Sequence, residues 1–393
     1  MDKKIFLSGF SRGKNWRKEI QTVASKMKKE LDGKSCDLAV FFISEAYADF
    51  DPKTFAQLLN EELLCRVSIG CNSSGVIANE SEIEMEPAMS VLAMHLPEVK
   101  IDPFYVSGED AHSFLNGNEL IHFLDIYPTD RPRFICFADP ASCDISKFLV
   151  NFNEAYKGLP VIGGLASARL MGVANWLCLN GTIYDNGAVG LALVGNIEFE
   201  TIVSQGCRPV GESFVITKAE DNVLFELAGK PALEVTREIL EKLSSKDKAL
   251  SESSLFVGLV MNENQASFKR GDFLIRNIMG FDPDSGALMI GASLKVGHTM
   301  QFQLRDAETS EEDLKTLLQK SEKSHGGSPE AAILISCCGR GKNLYGKPDH
   351  DVRMIQSARG PLPLAGFFAN GEIGPIGNKN YVHGYTSSLV ILR

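Results

Sequence analysis

The strongest pattern along the chain is a unit of apolar and polar segments that occurs three times. It opens on a near-continuous apolar run of six to eight residues: 37–44 (DLAVFFIS), 132–138 (PRFICFA) and 331–336 (AAILIS). Each run leads to a helical segment (55–64, 145–156, 352–357) and then to a short apolar stretch ending in glycine (67–70, 159–164, 362–366). A polar, glycine-rich loop follows, and a second apolar strand (88–95, 187–194, 385–392) closes the unit. The likeness is one of pattern, not identity. Strands that are apolar at successive positions are covered on both faces, whereas half-exposed strands alternate. That cover has to be helical, so the pattern predicts an α/β fold with mixed β-sheets, and a layered αββα packing is one arrangement that provides it.

Between the second and third units the pattern changes. Residues 255–261 (LFVGLVM), 273–278 (FLIRNI), 287–290 and 300–304 (MQFQL) read as short strands, and DPDSG at 282–286 is a hairpin signal, so an antiparallel sheet is predicted here. Pro231 sits at the start of an Ala232, Val235, Ile239, Leu243 stripe, and Thr309 with Glu312 forms a capping-box pattern ahead of Leu314, Leu317 and Leu318. The polar segment 243–254 reads as a surface loop, and 321–329 (SEKSHGGSP) is the most linker-like stretch. A chain of 393 residues exceeds the size at which one core usually keeps growing. The end of the second unit therefore sets a boundary near Val203, giving portions 1–203 and 204–393.

Composition narrows the function classes. With 44% hydrophobic and 23% charged residues the chain is an ordinary globular protein, and a net charge of −10 gives no footprint for nucleic acid. Residues 1–34 run the other way, with ten basic side chains against four acidic. Trp16, Ile20, Val23, Met27 and Leu31 recur there at helical spacing, which puts the lysines on the wet face of an amphipathic helix. No apolar run reaches the ~18 residues of a membrane span, so no membrane insertion and a cytoplasmic location are expected. Nine scattered cysteines are an odd number without C-x-x-C or H-E-x-x-H spacing, and read as reduced thiols without a metal site.

Two motifs are decoys. GKNLYGK at 341–347 fits G-x-x-x-x-G-K, but Pro348 stands where a Ser or Thr must hold Mg²⁺. GCNSSG at 70–75 lacks the G-x-S-x-G spacing of a nucleophile elbow. Cys71, Cys337 and Cys338 are candidate thiol nucleophiles only if a base such as His350 or His383 lies within reach. The densest constellation is C-terminal: CCGRG at 337–341, PLAGFFANGEIGP at 363–375 and HGYTSS at 383–388. Gly339, Gly341, Gly366 and Gly371 let backbone approach closely, and Phe367 and Phe368 offer apolar walls. Arg340, Glu372 and His383 supply a few charged groups, the mixture of a small-ligand pocket. An Arg340–Glu372 ion pair on a glycine-rich turn is the alternative reading.

These segments, with GCNSSGVI at 70–77, NEAYKGLPVIGGLAS at 153–167 and SQGCRPVG at 204–211, resemble the FIST family (F-box and intracellular signal transduction) over nearly the whole chain. The resemblance implies an N-terminal and a C-terminal FIST portion packed together. It implies a sensory module that binds a small polar metabolite such as an amino acid, without catalytic residues, at Arg208, Cys338, Gly339, Arg340, Gly341, Gly366, Phe367, Phe368, Gly371, Glu372 and His383. Family members work with kinases, cyclic-dinucleotide enzymes or chemotaxis receptors. The sequence shows no such segment of its own, so the output is expected to pass through a separate signalling partner. No cofactor is expected. Alternatives are a haem-binding gas sensor with His298 or His383 as axial ligand, and a thiol-dependent hydrolase or transferase using Cys337 or Cys338.

Overall fold

The structure, a computed structural model, describes residues 2–168, 172–324, 326 and 328–393. It divides into two compact units, residues 1–203 with 317–382 and 386–393, and residues 204–316 with 383–385.

The first unit is the predicted repeat, realised three times. The first copy runs β1 (Ile5–Ser11), α1 (Trp16–Glu30), β2 (Leu38–Ser44), α2 (Pro52–Leu63), β3 (Val67–Ser73), β4 (Gly75–Ala78), β5 (Ser81–Glu84) and β6 (Met89–His95). The second runs β7 (Val99–Val106), α3 (Gly108–Ser113), α4 (Gly117–Leu124), β8 (Arg133–Ala138), α5 (Ile145–Ala155), β9 (Val161–Leu165), β10 (Leu177–Leu179), β11 (Thr182–Tyr184) and β12 (Ala188–Gly195). The third opens with β13 (Phe199–Ser204), after which the chain builds the second unit. That unit holds β14 (Cys207–Glu220), β15 (Val223–Leu227), β16 (Lys230–Pro231), α6 (Ala232–Lys242), α7 (Ser245–Ser254), β17 (Leu255–Val260), β18 (Phe273–Asp282), β19 (Ala287–Ile290) and β20 (Thr299–Arg305). The third copy resumes through α8 (Ala307–Ser324), β21 (Ala331–Cys337), α9 (Gly341–Tyr345), α10 (His350–Arg359), β22 (Leu364–Ala369), β23 (Glu372–Ile376), β24 (Lys379–His383) and β25 (Ser387–Leu392).

Sheet order shows the repeat most clearly. The three sheets read β1-β6-β2-β3-β10-β11, β7-β12-β8-β9-β23-β24 and β13-β25-β21-β22-β4-β5. In each, the opening strand pairs in parallel with the glycine strand and antiparallel with the closing strand. The register is the same, with Phe41 opposite Gly70, Cys136 opposite Gly163 and Leu334 opposite Gly366. The reason for glycine is also the same. A Cβ on Gly70, Gly163 or Gly366 would stand 2.2, 1.7 or 2.0 Å from the facing carbonyl oxygen.

The segments read as glycine-rich loops hold hairpins, and each hairpin completes a different copy's sheet. The first copy gives β4–β5 to the third, the third gives β23–β24 to the second, and the second gives β10–β11 to the first. An asparagine anchors each one at the entry of its host's glycine strand. Asn79 accepts from the Leu364 N–H, Asn180 from the Ser68 N–H and Asn380 from the Val161 N–H.

Alternation along the opening strands divides the cores. Ala39, Phe41 and Ile43 face α1 and α2, and Phe134, Cys136 and Ala138 face α4 and α5. Leu38, Val40, Phe42, Ile135, Phe137, Ile333, Ile335 and Phe367 join in one interior core. Phe42, Phe137 and Phe367 meet at its centre, with ring centroids 4.7 to 5.8 Å apart. Three mixed sheets thus share one interior, and helices cover the outer faces of the first two. On α1, Trp16, Ile20, Val23, Met27 and the following Leu31 are buried and the lysines face water.

The second unit is antiparallel. Strand order β14-β20-β17-β18-β19-β15-β16, with β14 also pairing to β15, closes the sheet on itself. Val210, Ile216, Val257, Phe302 and Leu304 fill it, together with Val235 and Ile239 of α6. Three local expectations need correction. Residues 245–254 form α7 rather than a loop, capped by Ser244, yet bury no side chain, which is why their polarity hid the helix. The start of α8 is capped by Asp306, whose carboxylate accepts from the Thr309 N–H at 2.7 Å, so Thr309 sits inside the first turn. Residues 321–324 of the expected linker continue α8; His325 and Gly327 lie outside the described residues.

Candidate functional site

In open α/β sheets ligands bind at the carboxyl ends of parallel strands, where backbone polar groups and helix N-termini converge. Here β3, β9, β21 and β22 end together. Ser74 stands four residues beyond Gly70, and Ser167 four residues beyond Gly163. The Ser74 N–H donates to Ser167 Oγ at 2.9 Å, Ser167 Oγ donates to the Phe368 carbonyl at 2.5 Å, and Ser74 Oγ lies 3.2 Å from Cys338 Sγ. All three copies therefore contribute to one polar junction. Asp139 and Asn175 brace it: Asn175 Nδ2 donates to Asp139 at 2.9 Å and the Ala168 N–H donates to Asn175 Oδ1 at 2.9 Å.

Glu372 belongs to the same junction. Its side chain is fully buried, and Thr386 donates to Oε2 through its N–H at 3.0 Å and its hydroxyl at 2.6 Å. Burial raises this carboxyl to about 7, against the opposing pull of the Thr386 donors and the Arg340 charge. Burial also pushes the Cys338 thiol above its ordinary value; the Ser74 and Ser167 hydroxyls oppose that shift and the Glu372 charge adds to it. A raised thiol is the opposite of an activated nucleophile. Cys71 is likewise raised by complete burial and is a core residue of β3.

Arg340 is buried and held by Asp351 and Tyr345, while its charge also reaches Glu372. The side chain is 0% exposed, with Nε 2.6 Å and Nη2 3.1 Å from the two Asp351 oxygens, and Nη2 donates to the Tyr345 hydroxyl at 2.7 Å. His350 stacks on Tyr345 and lies 3.3 Å from Asp351 Oδ1, so it braces the ion pair rather than activating a cysteine. The same network holds the exchanged hairpin β4–β5. Glu82 accepts from the Val352 N–H at 2.9 Å, and Glu84 accepts from the Lys342 N–H at 2.9 Å. The amide at the start of α9, where the false P-loop needs phosphate, is thus occupied by a carboxylate.

Burial and the Asp351 charge push Glu82 up to about 7; Arg340 opposes the shift and Glu84 adds to it. A carboxyl raised in the folded state keeps a proton that the unfolded chain releases. Its stabilising effect is full below about pH 4.3 and is lost as pH rises to 7. Replacing Glu82 by Gln is expected to leave stability at pH 4.5 nearly unchanged and to raise it at pH 8 by on the order of 3 kcal/mol. Urea midpoints at the two pH values check this, and parallel pH profiles for variant and parent would disprove it.

The remaining sequence-predicted residues divide. Gly339 and Gly341 flank Arg340, and Gly341 adopts φ +58°. Gly366 and Phe367 are core residues, and Phe368 contributes its carbonyl. Gly371, at φ +134°, gives its carbonyl to the Leu165 N–H at 2.9 Å. Arg208 and His383 belong to the second unit, where Asp247 and Asp306 hold Arg208. His298 is exposed beside Lys295, Val296 and Gly297, a setting that does not fit a buried porphyrin. All nine cysteines are free thiols. Ser74, Ser167 and Asp351 went unpredicted. Aligning the three glycine segments exposes the first two, because the position four residues on is polar in every copy: Ser74, Ser167 and Asn370.

The fold is thus a threefold α/β module with a buried polar junction at its strand ends, interrupted along the chain by an antiparallel closed sheet. The chain belongs to the FIST family: the FIST N domain matches residues 37–230 and the FIST C domain residues 232–375. FIST domains are in general sensory and signal-transduction domains. An uncharacterized protein of Mycobacterium tuberculosis strain H37Rv is 32% identical over 389 residues, covering 98% of both chains. An uncharacterized protein of Mycobacterium bovis is 33% identical over 381 residues, covering 95% of both.

Proposed function

We propose that this protein senses a small polar metabolite, such as an amino acid, at the junction of Ser74, Ser167, Cys338 and Glu372. A cytoplasmic signalling partner, a kinase or cyclic-dinucleotide enzyme, reads its occupancy. The observation that carries the reading is the meeting of side chains from three repeats at the strand ends, around a buried carboxyl poised near neutrality. With Arg340 engaged by Asp351, the junction offers hydroxyls, a thiol and a carboxyl. That chemistry suits a ligand's ammonium or amide donors better than its carboxylate. No helix among the described residues is long and apolar enough to cross a membrane.

The test is native mass spectrometry of the purified protein, followed by melting curves against an amino-acid panel. A true ligand at a hundredfold excess over Kd stabilises by about 2.7 kcal/mol. Cys338→Ala should shrink that ligand-induced shift relative to its own unliganded melting temperature. Iodoacetamide should label Cys338 slowly at pH 7. A panel without any shift, with no retained ligand, would refute the sensor reading; rapid stoichiometric labelling blocked by a bound compound would favour a thiol enzyme.

A further inference from the structure

At the opposite ends of β8 and β9, where these strands enter their sheet, lies a cavity of about 210 Å³ lined by Arg131, Arg133, Gly158, Glu198, Glu200 and Arg393 among others. Its charges do not cancel. Glu200 is fully buried and held between Arg393, whose Nε lies 3.0 Å from Oε2, and Arg359, whose Nη2 lies 2.7 Å from Oε1. The remaining side-chain carboxylate of the lining, Glu198, is exposed and forms no ion pair among the described residues. Arg131 and Arg133 likewise have no carboxylate partner there, although Arg133 Nη1 reaches back 3.2 Å to the Arg131 carbonyl. Arg133 is only partly exposed, and its burial disfavours the charge it carries, as does the neighbouring Arg131.

The repeat makes these two arginines conspicuous. The register that aligns Phe41, Cys136 and Leu334 places Leu38 and Ala331 where the second copy has Arg133, and Cys36 and Pro329 where it has Arg131. Leu38 and Ala331 are 0% exposed. At these two positions only the second copy is charged; each of the other copies carries a single acid between them, Asp37 and Glu330, where the second copy has Pro132. Guanidinium groups are planar donors suited to bidentate oxyanions, and desolvation strengthens that pairing.

We propose that this cavity is an oxyanion site, in which Arg131 and Arg133 bind the carboxylate or phosphate group of a small metabolite. The site is separate from the Ser74, Ser167, Cys338 and Glu372 junction and does not depend on it. Glu198 tempers the affinity by repulsion, since its carboxylate lies close enough to favour the Arg133 charge.

Calorimetric titration of the full chain with inorganic phosphate, and separately with succinate, at ionic strength fixed by chloride, tests the proposal. Saturable binding of at least one probe is expected, and the tighter of the two identifies the phosphate or carboxylate source. Arg131→Ala, at an exposed position, should weaken binding at least tenfold without moving the unliganded melting temperature. Glu198→Gln should tighten it about threefold or more, a gain that a purely structural role would not produce. Cys338→Ala should leave it unchanged, which separates this site from the sensory junction. Absence of saturable binding by either probe, or binding unaffected by both Arg131→Ala and Arg133→Gln, would overturn it.

Discussion

A fragment beginning at residue 204 is expected to be insoluble or molten, with collapsed amide NMR dispersion and no sharp melting transition of its β21–β25 region. The reason lies inside the first unit. Ile333, Ile335, Phe367, Val390 and Leu392 are buried in a core whose other members include Leu38, Val40, Phe42, Ile135 and Phe137. Losing burial of five such side chains removes roughly 8–15 kcal/mol, at about 1.5–3 kcal/mol each, as much as the whole net stability of a typical domain. The fragment also leaves β22 without β4 and β25 without β13, exposing two unpaired edges. Adding residues 1–203 as a separate chain should restore a folded complex. A soluble 204–393 fragment with dispersed signals from Ile333 and Phe367 would sink the shared-core account.

The second large effect is expected at Arg340. Its guanidinium and Asp351 are both inaccessible to solvent, so removing either takes from a buried charge the partner that holds it through two hydrogen bonds. Breaking such a pair typically destabilises by 3–5 kcal/mol, whereas replacing both partners by apolar groups of similar volume is often neutral. Arg340→Met should therefore lower stability by about that amount, and the double variant Arg340→Met with Asp351→Leu should recover most of it, as read by urea unfolding. The Arg340 charge holds the Asp351 carboxyl well below the usual carboxylate range against the opposing effect of burial. A carboxyl depressed in this way contributes stability above its unfolded pKa that is lost on strong acidification, so the gap between parent and Arg340→Met should narrow at acid pH. An Arg340→Met protein as stable as the parent but blind to ligand would restore the ligand-anchoring role that the sequence suggests.

The repeat itself was legible because its evidence is local. Runs such as AVFFI at 39–43 and AAILI at 331–335 are apolar at every position, and only doubly covered strands have that composition. The short apolar stretches ending in glycine were likewise visible, and they are the strands that pair in parallel with these runs. The exchanged hairpins were not legible. β4 (GVIA) and β10 (LCL) are too short to show a period, and their partners lie in another copy, so no local pattern carries the pairing. The same limit explains the site. Arg340 and Glu372 lie in two separate glycine-rich segments that invite pairing, but Asp351, in the first turn of α10, meets the guanidinium with both carboxylate oxygens. Ser74 and Ser167 are 93 residues apart and become a pair only once two sheets face each other.

The hairpin exchange also constrains how the protein is made. Asn79 in the first hairpin finds its host strand at Leu364, 285 residues downstream. At roughly 5–20 residues per second of synthesis, the β4–β5 hairpin waits about 15 to 60 s on the ribosome before β22 emerges. Throughout that interval Val76, Ile77 and Ile83, all buried in the finished protein, are in solution beside an open strand edge. The first repeat is finished by the ribosome long before it can be finished by folding, because its β4 edge has no partner until the third repeat is made.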